Sequence, residues 1–350
     1  MPDLSQYGYN SFFSEQVTES GLLPARVTAV HKERYEIICE TGLTYARLKT
    51  AVYYLGGLEL FPTVGDFVLI QHNDSGDSTI TRTLRRKTYF SRRDPTPGRD
   101  EQAVSANFDT VFIMQSLNND FSAKRLERYA TLAWQSGAEP VVVLTKADLT
   151  DTWQEKIIAA ETAAPGIATA VISAKTGYGL DRLAGYLTPG HTIVFMGSSG
   201  VGKSSLLNAL YGEEAMAVSE IREDDSRGRH TTTHRQMLLL PCGALVIDTP
   251  GMREIGMWDV SSGLGEAFTD VEAFAADCRF SDCRHEQEPG CAVKAAIENG
   301  ELPAARFKSY LKLKKEAKYS DHKSAALRER QHLHKAIAKQ NRQHKRRKMT

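Results

Sequence analysis

A glycine-rich segment between a predicted strand and a predicted helix matches the phosphate-binding pattern G-x-x-x-x-G-K-[S/T]. Its glycines allow backbone N–H groups to converge on phosphate oxygens, and the start of the following helix adds a favourable dipole. Lys203 would bring positive charge to the β- and γ-phosphates, and the Ser204 hydroxyl would bind Mg²⁺. The alternative, a glycine-rich turn with a chance lysine, is disfavoured by the strand–loop–helix context. The candidate phosphate-binding residues are Gly197, Ser198, Ser199, Gly200, Val201, Gly202, Lys203, Ser204 and Ser205.

Two further motifs could recognise a guanine base. The segment Thr145-Lys146-Ala147-Asp148 directly follows a predicted apolar strand. The Asp148 carboxylate can accept from two nitrogen donors of guanine, a pair that adenine lacks, while the Lys146 stem covers the base. After another predicted strand, Ser173-Ala174-Lys175 would close the opposite face, with the Ala174 N–H reaching the guanine oxygen. Each motif is weak alone, but the pair at strand ends of one α/β domain favours guanine over adenine.

A fourth motif, Asp248-Thr249-Pro250-Gly251, also follows a predicted strand. The Asp248 carboxylate can hold Mg²⁺ through water, and the Gly251 N–H can meet a γ-phosphate. Such turns are common, so this motif acquires weight only because it follows a phosphate loop in the chain.

The polar stretch between the phosphate loop and Asp248 is where a nucleotide-sensing switch would lie. A threonine there can complete the Mg²⁺ shell only when a γ-phosphate is present, and Thr232 is the first candidate, with Thr231 second. Met252 stands where many nucleotide hydrolases carry a water-positioning glutamine, so intrinsic hydrolysis should be slow. His230 is the first candidate for holding the water, with His234 as the alternative. Either residue could instead be a surface histidine or contact RNA.

A metal site is predicted near the C-terminal end by the cluster of Cys278, Cys283, His285 and Cys291. Three thiolates and one imidazole fit a closed, tetrahedral structural Zn²⁺ site with no position open for catalysis. The alternative is three free buried cysteines beside a chance histidine. A chelator should loosen the C-terminal region and leave nucleotide binding largely intact.

Patterns of apolar residues indicate the elements that would position these motifs. Between Leu22 and Phe90 the chain reads as about five short strands with Gly and Asp/Asn turns, which suits an OB-fold β-barrel or an SH3-like barrel. The basic and aromatic stretch 85–93 could hold phosphates and stack on bases, or be a solvated linker. From Asp109 onward, apolar strands alternate with helices, so we expect a mostly parallel sheet covered on both faces. A helical region follows from Ser262.

The charge of the chain is unevenly distributed. The 350 residues contain 44 Lys+Arg and 43 Asp+Glu. Of these, 16 basic and 3 acidic residues lie from Arg306 onward, which gives this part a net charge of +13 and leaves −12 on the remainder. A basic tail on an acidic body suggests a polyanionic partner, although a disordered solubilising tail is the alternative. Five cysteines, no membrane-length apolar run and no secretory signal lead us to expect a cytoplasmic protein.

The order of the motifs is unusual, because both base-recognition motifs precede the phosphate loop. Cutting an ordinary GTPase fold between its third and fourth motifs, and joining the old ends, produces this order without moving any strand. The chain thereby resembles the circularly permuted small-ribosomal-subunit GTPase family, RsgA or YjeQ, over nearly its whole length. The resemblance implies an OB-fold at the front, GTP hydrolysis stimulated by the 30S subunit, and a role late in 30S maturation. It also assigns the same four Zn²⁺ ligands.

The family usually reads Asn-Lys-x-Asp at the base motif, whereas this chain has Thr145 in the first position. Asparagine can bond both the purine and the phosphate loop, and threonine has a single hydroxyl with a shorter reach. We therefore expect guanine selection by Asp148 to survive with weaker affinity.

These observations predict a multidomain GTPase with GTP/GDP, Mg²⁺ and one structural Zn²⁺. The expected partners are the 30S ribosomal subunit and 16S rRNA, and the expected state is a monomer without membrane association. The alternative is a nucleotide-regulated RNA-binding module in which hydrolysis is incidental. The predicted parts are a flexible segment (1–20), an OB-fold RNA-binding barrel (21–95), a circularly permuted P-loop α/β GTPase domain (96–261), a zinc-binding helical domain (262–320) and a basic C-terminal tail (321–350).

Overall fold

The structure of the protein, a computed structural model, describes residues 3–31, 34–49, 61–93, 101–118, 120–212, 235–248 and 261–318. The basic tail 321–350 and most of the predicted switch therefore lie outside the described residues. No helix within these ranges has the length and apolar character needed to cross a membrane.

Five strands close into the predicted OB-like barrel. Each strand pairs with its neighbour in the cyclic order β1-β2-β3-β5-β4-β1, and only β3 and β5 run parallel. Small and β-branched residues, including Ala25, Val27, Ile37 and Ile80, fill the interior and are fully buried. The strands are β1 (Leu23–Val30), β2 (Tyr35–Cys39), β3 (Gly42–Leu48), β4 (Phe67–Gln71) and β5 (Ser78–Thr83).

The N-terminal segment corrects one expectation, because residues 3–17 do not form a flexible lead-in. A 3-10 turn (Leu4–Tyr7) is followed by a short helix, α1 (Ser11–Ser14), whose N-terminus is capped by the Asn10 side chain. Phe13 is buried, and its ring lies 4.1 Å from that of Phe67 on the barrel. Burial of aromatic side chains therefore holds this segment against the barrel, although its overall composition is polar.

The basic and aromatic stretch 85–93 is partly structural. Its second half forms β6 (Tyr89–Arg93), which pairs antiparallel with β7 (Glu101–Ala106). Phe90 is buried and stacks on Phe108 with ring centroids 4.8 Å apart. Arg86 binds the buried Asp66 carboxylate at 2.8 Å. These contacts hold the stretch to the body of the protein, so it is not a solvated linker, and its contact with phosphates and bases stays a prediction.

The predicted α/β sheet is present, with strand order β10-β9-β8-β11-β13-β12. All neighbours are parallel except β12, which runs antiparallel to β13. Buried apolar clusters cover both faces of the sheet. The strands are β8 (Thr110–Ser116), β9 (Glu139–Thr145), β10 (Ala168–Val171), β11 (Thr192–Met196), β12 (Arg235–Leu239) and β13 (Leu245–Asp248), and the helices are α2 (Ala123–Gln135), α3 (Gln154–Ala163) and α4 (Lys203–Tyr211).

Barrel and sheet are joined through β1, which pairs with β12 at Ala29–Gln236 and Val30–Arg235. Arg26 lies on the same strand, β1, and its side chain is only 1% exposed. Its guanidinium donates to the Asn107 carbonyl at 2.6 Å, the Thr192 hydroxyl at 3.0 Å and the Gly65 carbonyl at 3.3 Å. Burial lowers the pKa of Arg26 to about 10, which leaves the group charged at neutral pH.

The C-terminal region consists of helices α5 (Ser261–Ala267), α6 (Thr269–Ala276) and α7 (Ala292–Glu298), followed by α8 (304–318). Helix α5 packs closely on α2, where a Cβ at Gly263 would lie 2.3 Å from the Thr131 carbonyl oxygen. The buried Arg306 side chain donates to the Asp270 carboxylate at 2.7 Å, the Ala267 carbonyl at 2.8 Å and the Ala163 carbonyl at 3.0 Å. One arginine thus links α6, α3 and α8.

Replacing Arg26 with methionine should reduce the free energy of unfolding by about 3–5 kcal/mol, because several buried acceptors would lose their donor. Chemical denaturation of the full chain measures this loss. Arg34→Met removes a surface arginine and serves as the control, with a much smaller expected loss. Equal effects of the two substitutions would contradict the role of Arg26 at the junction.

Candidate nucleotide site and metal centre

The phosphate loop connects the C-terminal end of β11 to the first turn of α4. Two glycines are required by the local geometry. A Cβ at Gly197 would lie 2.7 Å from the Met114 carbonyl oxygen, and Gly202, directly before α4, has a φ of 106°. The Lys203 ammonium bends back over the loop and donates to the Gly197 carbonyl at 2.7 Å and the Ser198 carbonyl at 2.8 Å. The Lys203 ammonium, which is predicted to bind phosphate, therefore lies against the backbone of the loop.

The two base-recognition motifs meet at the C-terminal ends of β9 and β10. The Ser173 hydroxyl donates to the Asp148 carboxylate at 2.6 Å, and the Ala147 N–H donates to the Ile172 carbonyl at 3.1 Å. The hydrogen bond from Ser173 lowers the pKa of Asp148, so this carboxylate is ionised at neutral pH. An ionised carboxylate accepts hydrogen bonds only, as the guanine hypothesis requires.

Thr145 joins the base-recognition side to the phosphate loop. Its side chain is buried, and its hydroxyl donates to the Val201 carbonyl at 2.5 Å. Asparagine at this position could bond both the purine and the phosphate loop. The threonine hydroxyl makes the bond to the loop, so the expectation of a shorter reach is corrected for this bond. A Cβ at Gly202 would lie 3.7 Å from the Thr145 hydroxyl oxygen, an ordinary van der Waals distance, so the loop backbone passes directly beside Thr145.

A cavity of about 230 Å³ lies between these motifs. Its lining includes both Asp148 and Gly202, so the candidate base acceptor and the residue next to Lys203 border the same space. Leu149, Ile172 and Leu206 add apolar surface that the sequence reasoning missed, although each of them flanks a recognised motif. The cavity is also lined by Thr145, Lys146, Ala174, Lys175 and Ser205.

The described residues include only part of the predicted magnesium site. Ser204 lies in the first turn of α4. Asp248 is the last residue of β13, which runs parallel to β11, so its backbone lies at the same edge of the sheet as the phosphate loop. His230, Thr231, Thr232, Gly251 and Met252 lie outside the described residues, and their roles stay predictions.

The four predicted zinc ligands converge. Their ligand atoms all lie within 4.8 Å of one another. The Cys278 sulfur lies 3.9 Å from the Cys291 sulfur and 3.6 Å from His285 Nδ1, and the Cys291 sulfur lies 3.4 Å from the same nitrogen. A tetrahedral Zn²⁺ with Zn–S bonds of about 2.3 Å has sulfur–sulfur edges of about 3.8 Å. The Cys₃His set is therefore compatible with zinc in donor chemistry and in spacing.

The loop that carries these ligands is braced by its own backbone. The Glu288 carboxylate accepts N–H bonds from Arg284, Glu286 and Gln287 at 2.9–3.0 Å, and such bonds lower its pKa to about 2. Burial, with a contribution from the neighbouring thiols, raises the pKa of Cys283 to about 11. A divalent cation supplies the positive charge that would keep such a cluster in the thiolate form.

Fold and site together define a phosphate-loop α/β nucleotide-binding protein in which the two predicted base-recognition motifs come before the phosphate loop in the chain. The RsgA GTPase family model matches residues 83–258. A relative from Listeria monocytogenes serotype 4b (strain F2365), the small ribosomal subunit biogenesis GTPase RsgA 2, is 45% identical over 343 residues and covers 97% of both chains. The chain therefore belongs to the RsgA GTPase family, and it is a GTPase that binds guanine nucleotides.

Two solved structures support the architecture. YjeQ from Thermotoga maritima is 29% identical, with a TM-score of 0.62 and coverage of 83% of this chain and 97% of that one. YloQ, described as a circularly permuted GTPase, is 25% identical, with a TM-score of 0.60 and coverage of 86% and 97%. The permuted motif order and the three-part fold expected from the sequence are thereby confirmed.

Substituting Thr145 with valine should weaken GTP binding about tenfold, since the buried bond to the Val201 carbonyl is lost and the loop is less well held. Thr145→Asn should retain most of the affinity, because an amide can donate to the same carbonyl. Titration with a fluorescent GTP analogue measures both. Thr162→Val, which removes an exposed hydroxyl on α3, is the matched control. Wild-type affinity in Thr145→Val would show that the bond does not hold the loop.

Proposed function

We propose that this chain binds the small ribosomal subunit late in its maturation and hydrolyses GTP to GDP and phosphate, so that hydrolysis gates attachment and release. The observation that carries the nucleotide part is the cavity bordered by Asp148 and by Gly202 of the phosphate loop. The ribosomal part rests on the Listeria relative, which is named a small ribosomal subunit biogenesis GTPase. A cytoplasmic monomer is the form we propose.

Within this proposal, each part of the nucleotide has assigned residues. Asp148 accepts from the guanine ring, with Lys146 along its face and Ala174 at its oxygen. Lys203 and the loop N–H groups hold the phosphates. Ser204 binds Mg²⁺, together with Thr232 when the γ-phosphate is present, while Asp248 and Gly251 approach from β13. His230 orients the attacking water, because Met252 has no group that can do so.

The proposed RNA-facing elements are the barrel and the basic tail, with 16S rRNA as their ligand. On the barrel, Tyr45 is exposed and Arg34 lies over its ring, 3.8 Å from the centroid. Arg47 lies close by, with its Nε 2.7 Å from the Asp77 carboxylate. An exposed aromatic ring beside two arginines suits base stacking and phosphate contacts. Binding should therefore weaken as the salt concentration rises.

Adding purified small ribosomal subunits should raise the GTP turnover of the full chain at least about a hundredfold, because a partner that completes a slow GTPase site can supply a large part of its transition-state stabilisation. Phosphate release with and without subunits measures the effect. Lys203→Ala should abolish turnover in both conditions, which excludes a contaminating hydrolase. A turnover that does not respond to subunits would favour a nucleotide-regulated RNA-binding module with incidental hydrolysis.

A further inference from the structure

The phosphate loop has a second anchor besides Thr145. The Ser198 hydroxyl donates to the Asp120 carboxylate at 2.6 Å, and the carbonyl of the same serine accepts from the Lys203 ammonium at 2.8 Å. Asp120 lies in the turn between β8 and α2. The hydrogen bond from Ser198 lowers the pKa of Asp120, so the group carries a full negative charge at neutral pH. A negative charge beside a phosphate loop is unfavourable for a triphosphate unless it is compensated.

Arg125 in the first turn of α2 provides that compensation. Its guanidinium lies 3.1 Å from the Asp120 carboxylate, also donates to the Asp120 backbone carbonyl, and reaches the Gln115 side-chain oxygen at 3.3 Å. Gln115 is fully buried, and the same oxygen accepts from the Ser122 N–H at 3.1 Å. Ser122 in turn caps α2. The arginine is therefore held by the protein framework rather than lying loosely on the surface.

We propose that Asp120 is a positioning residue for the phosphate loop and that Arg125 is its charge partner, which keeps the carboxylate from repelling the nucleotide phosphates. The pair fixes Ser198, and through its carbonyl the Lys203 ammonium, without adding net charge to the site. This inference rests on the proposed nucleotide site and is independent of the ribosomal partner. GTP is affected more than GDP, because GTP brings one additional phosphate with its negative charge.

The test measures GTP and GDP affinities of the full chain by calorimetry, at low and at high salt. Arg125→Gln should weaken GTP binding about fivefold to tenfold at low salt and GDP binding less, and the defect should shrink at high salt, as expected for one partly screened charge. Adding Asp120→Asn to the same chain should restore GTP affinity to within about twofold. The amide oxygen still accepts from Ser198, while the uncompensated charge is gone.

Arg128→Gln is the matched control, because Arg128 lies on the same helix and pairs with Glu316 instead. It should bind both nucleotides like the unmodified protein. A double variant as weak as Arg125→Gln alone, or a defect that salt does not change, would overturn the charge-partner role. Failure of the unmodified protein to bind either guanine nucleotide would instead defeat the proposed nucleotide site, so the two failures are distinguishable.

Discussion

One buried hydrogen bond, from the Thr145 hydroxyl to the Val201 carbonyl, connects the two halves of the proposed nucleotide site. Thr145 is the last residue of β9 and precedes the predicted base-recognition residues Lys146 and Asp148, whereas Val201 belongs to the phosphate loop. These halves are separate stretches of the chain, so the position of the proposed base acceptor relative to the phosphates depends on contacts across the sheet edge. A net hydrogen-bond energy of about 1 kcal/mol is modest, but in a buried position the bond also fixes direction.

The same sheet connects the site to the barrel. β12 is the last strand of the α/β sheet and pairs directly with β1 of the barrel. Arg26 on β1 also donates a hydrogen bond to Thr192, the first residue of β11. The predicted switch residue Thr232 lies three positions before β12 in the chain. A rearrangement at the switch therefore has a short covalent path to a strand that the barrel shares. The C-terminal helices α5–α8 are attached to the α/β sheet domain through Arg306 and through the packing of α5 on α2.

The sequence predicted the barrel, the α/β sheet and the zinc cluster because each depends on local patterns: strand periodicity, loop motifs and ligand spacing. It did not predict contacts between residues far apart in the chain. Arg26 looks like any strand arginine until the fold surrounds it with acceptors, and Phe13 looks like part of a polar leader until it meets Phe67. Asp120 was missed for the same reason, since only the fold brings it to Ser198. The reach of Thr145 was misjudged because it depends on how closely the loop backbone approaches.

The central claim is that Asp148 recognises guanine while the loop about fifty residues later in the chain holds the phosphates of the same nucleotide. Competition of GTP, ATP and XTP for the full chain, with and without Asp148→Asn, tests it most directly. We predict a strong preference for GTP in the unmodified protein and a shift toward XTP in the variant, because an amide can donate to the carbonyl oxygen that xanthine carries in place of the amino group of guanine. Equal binding of GTP and ATP, or a variant that keeps its preference for GTP, would contradict the account.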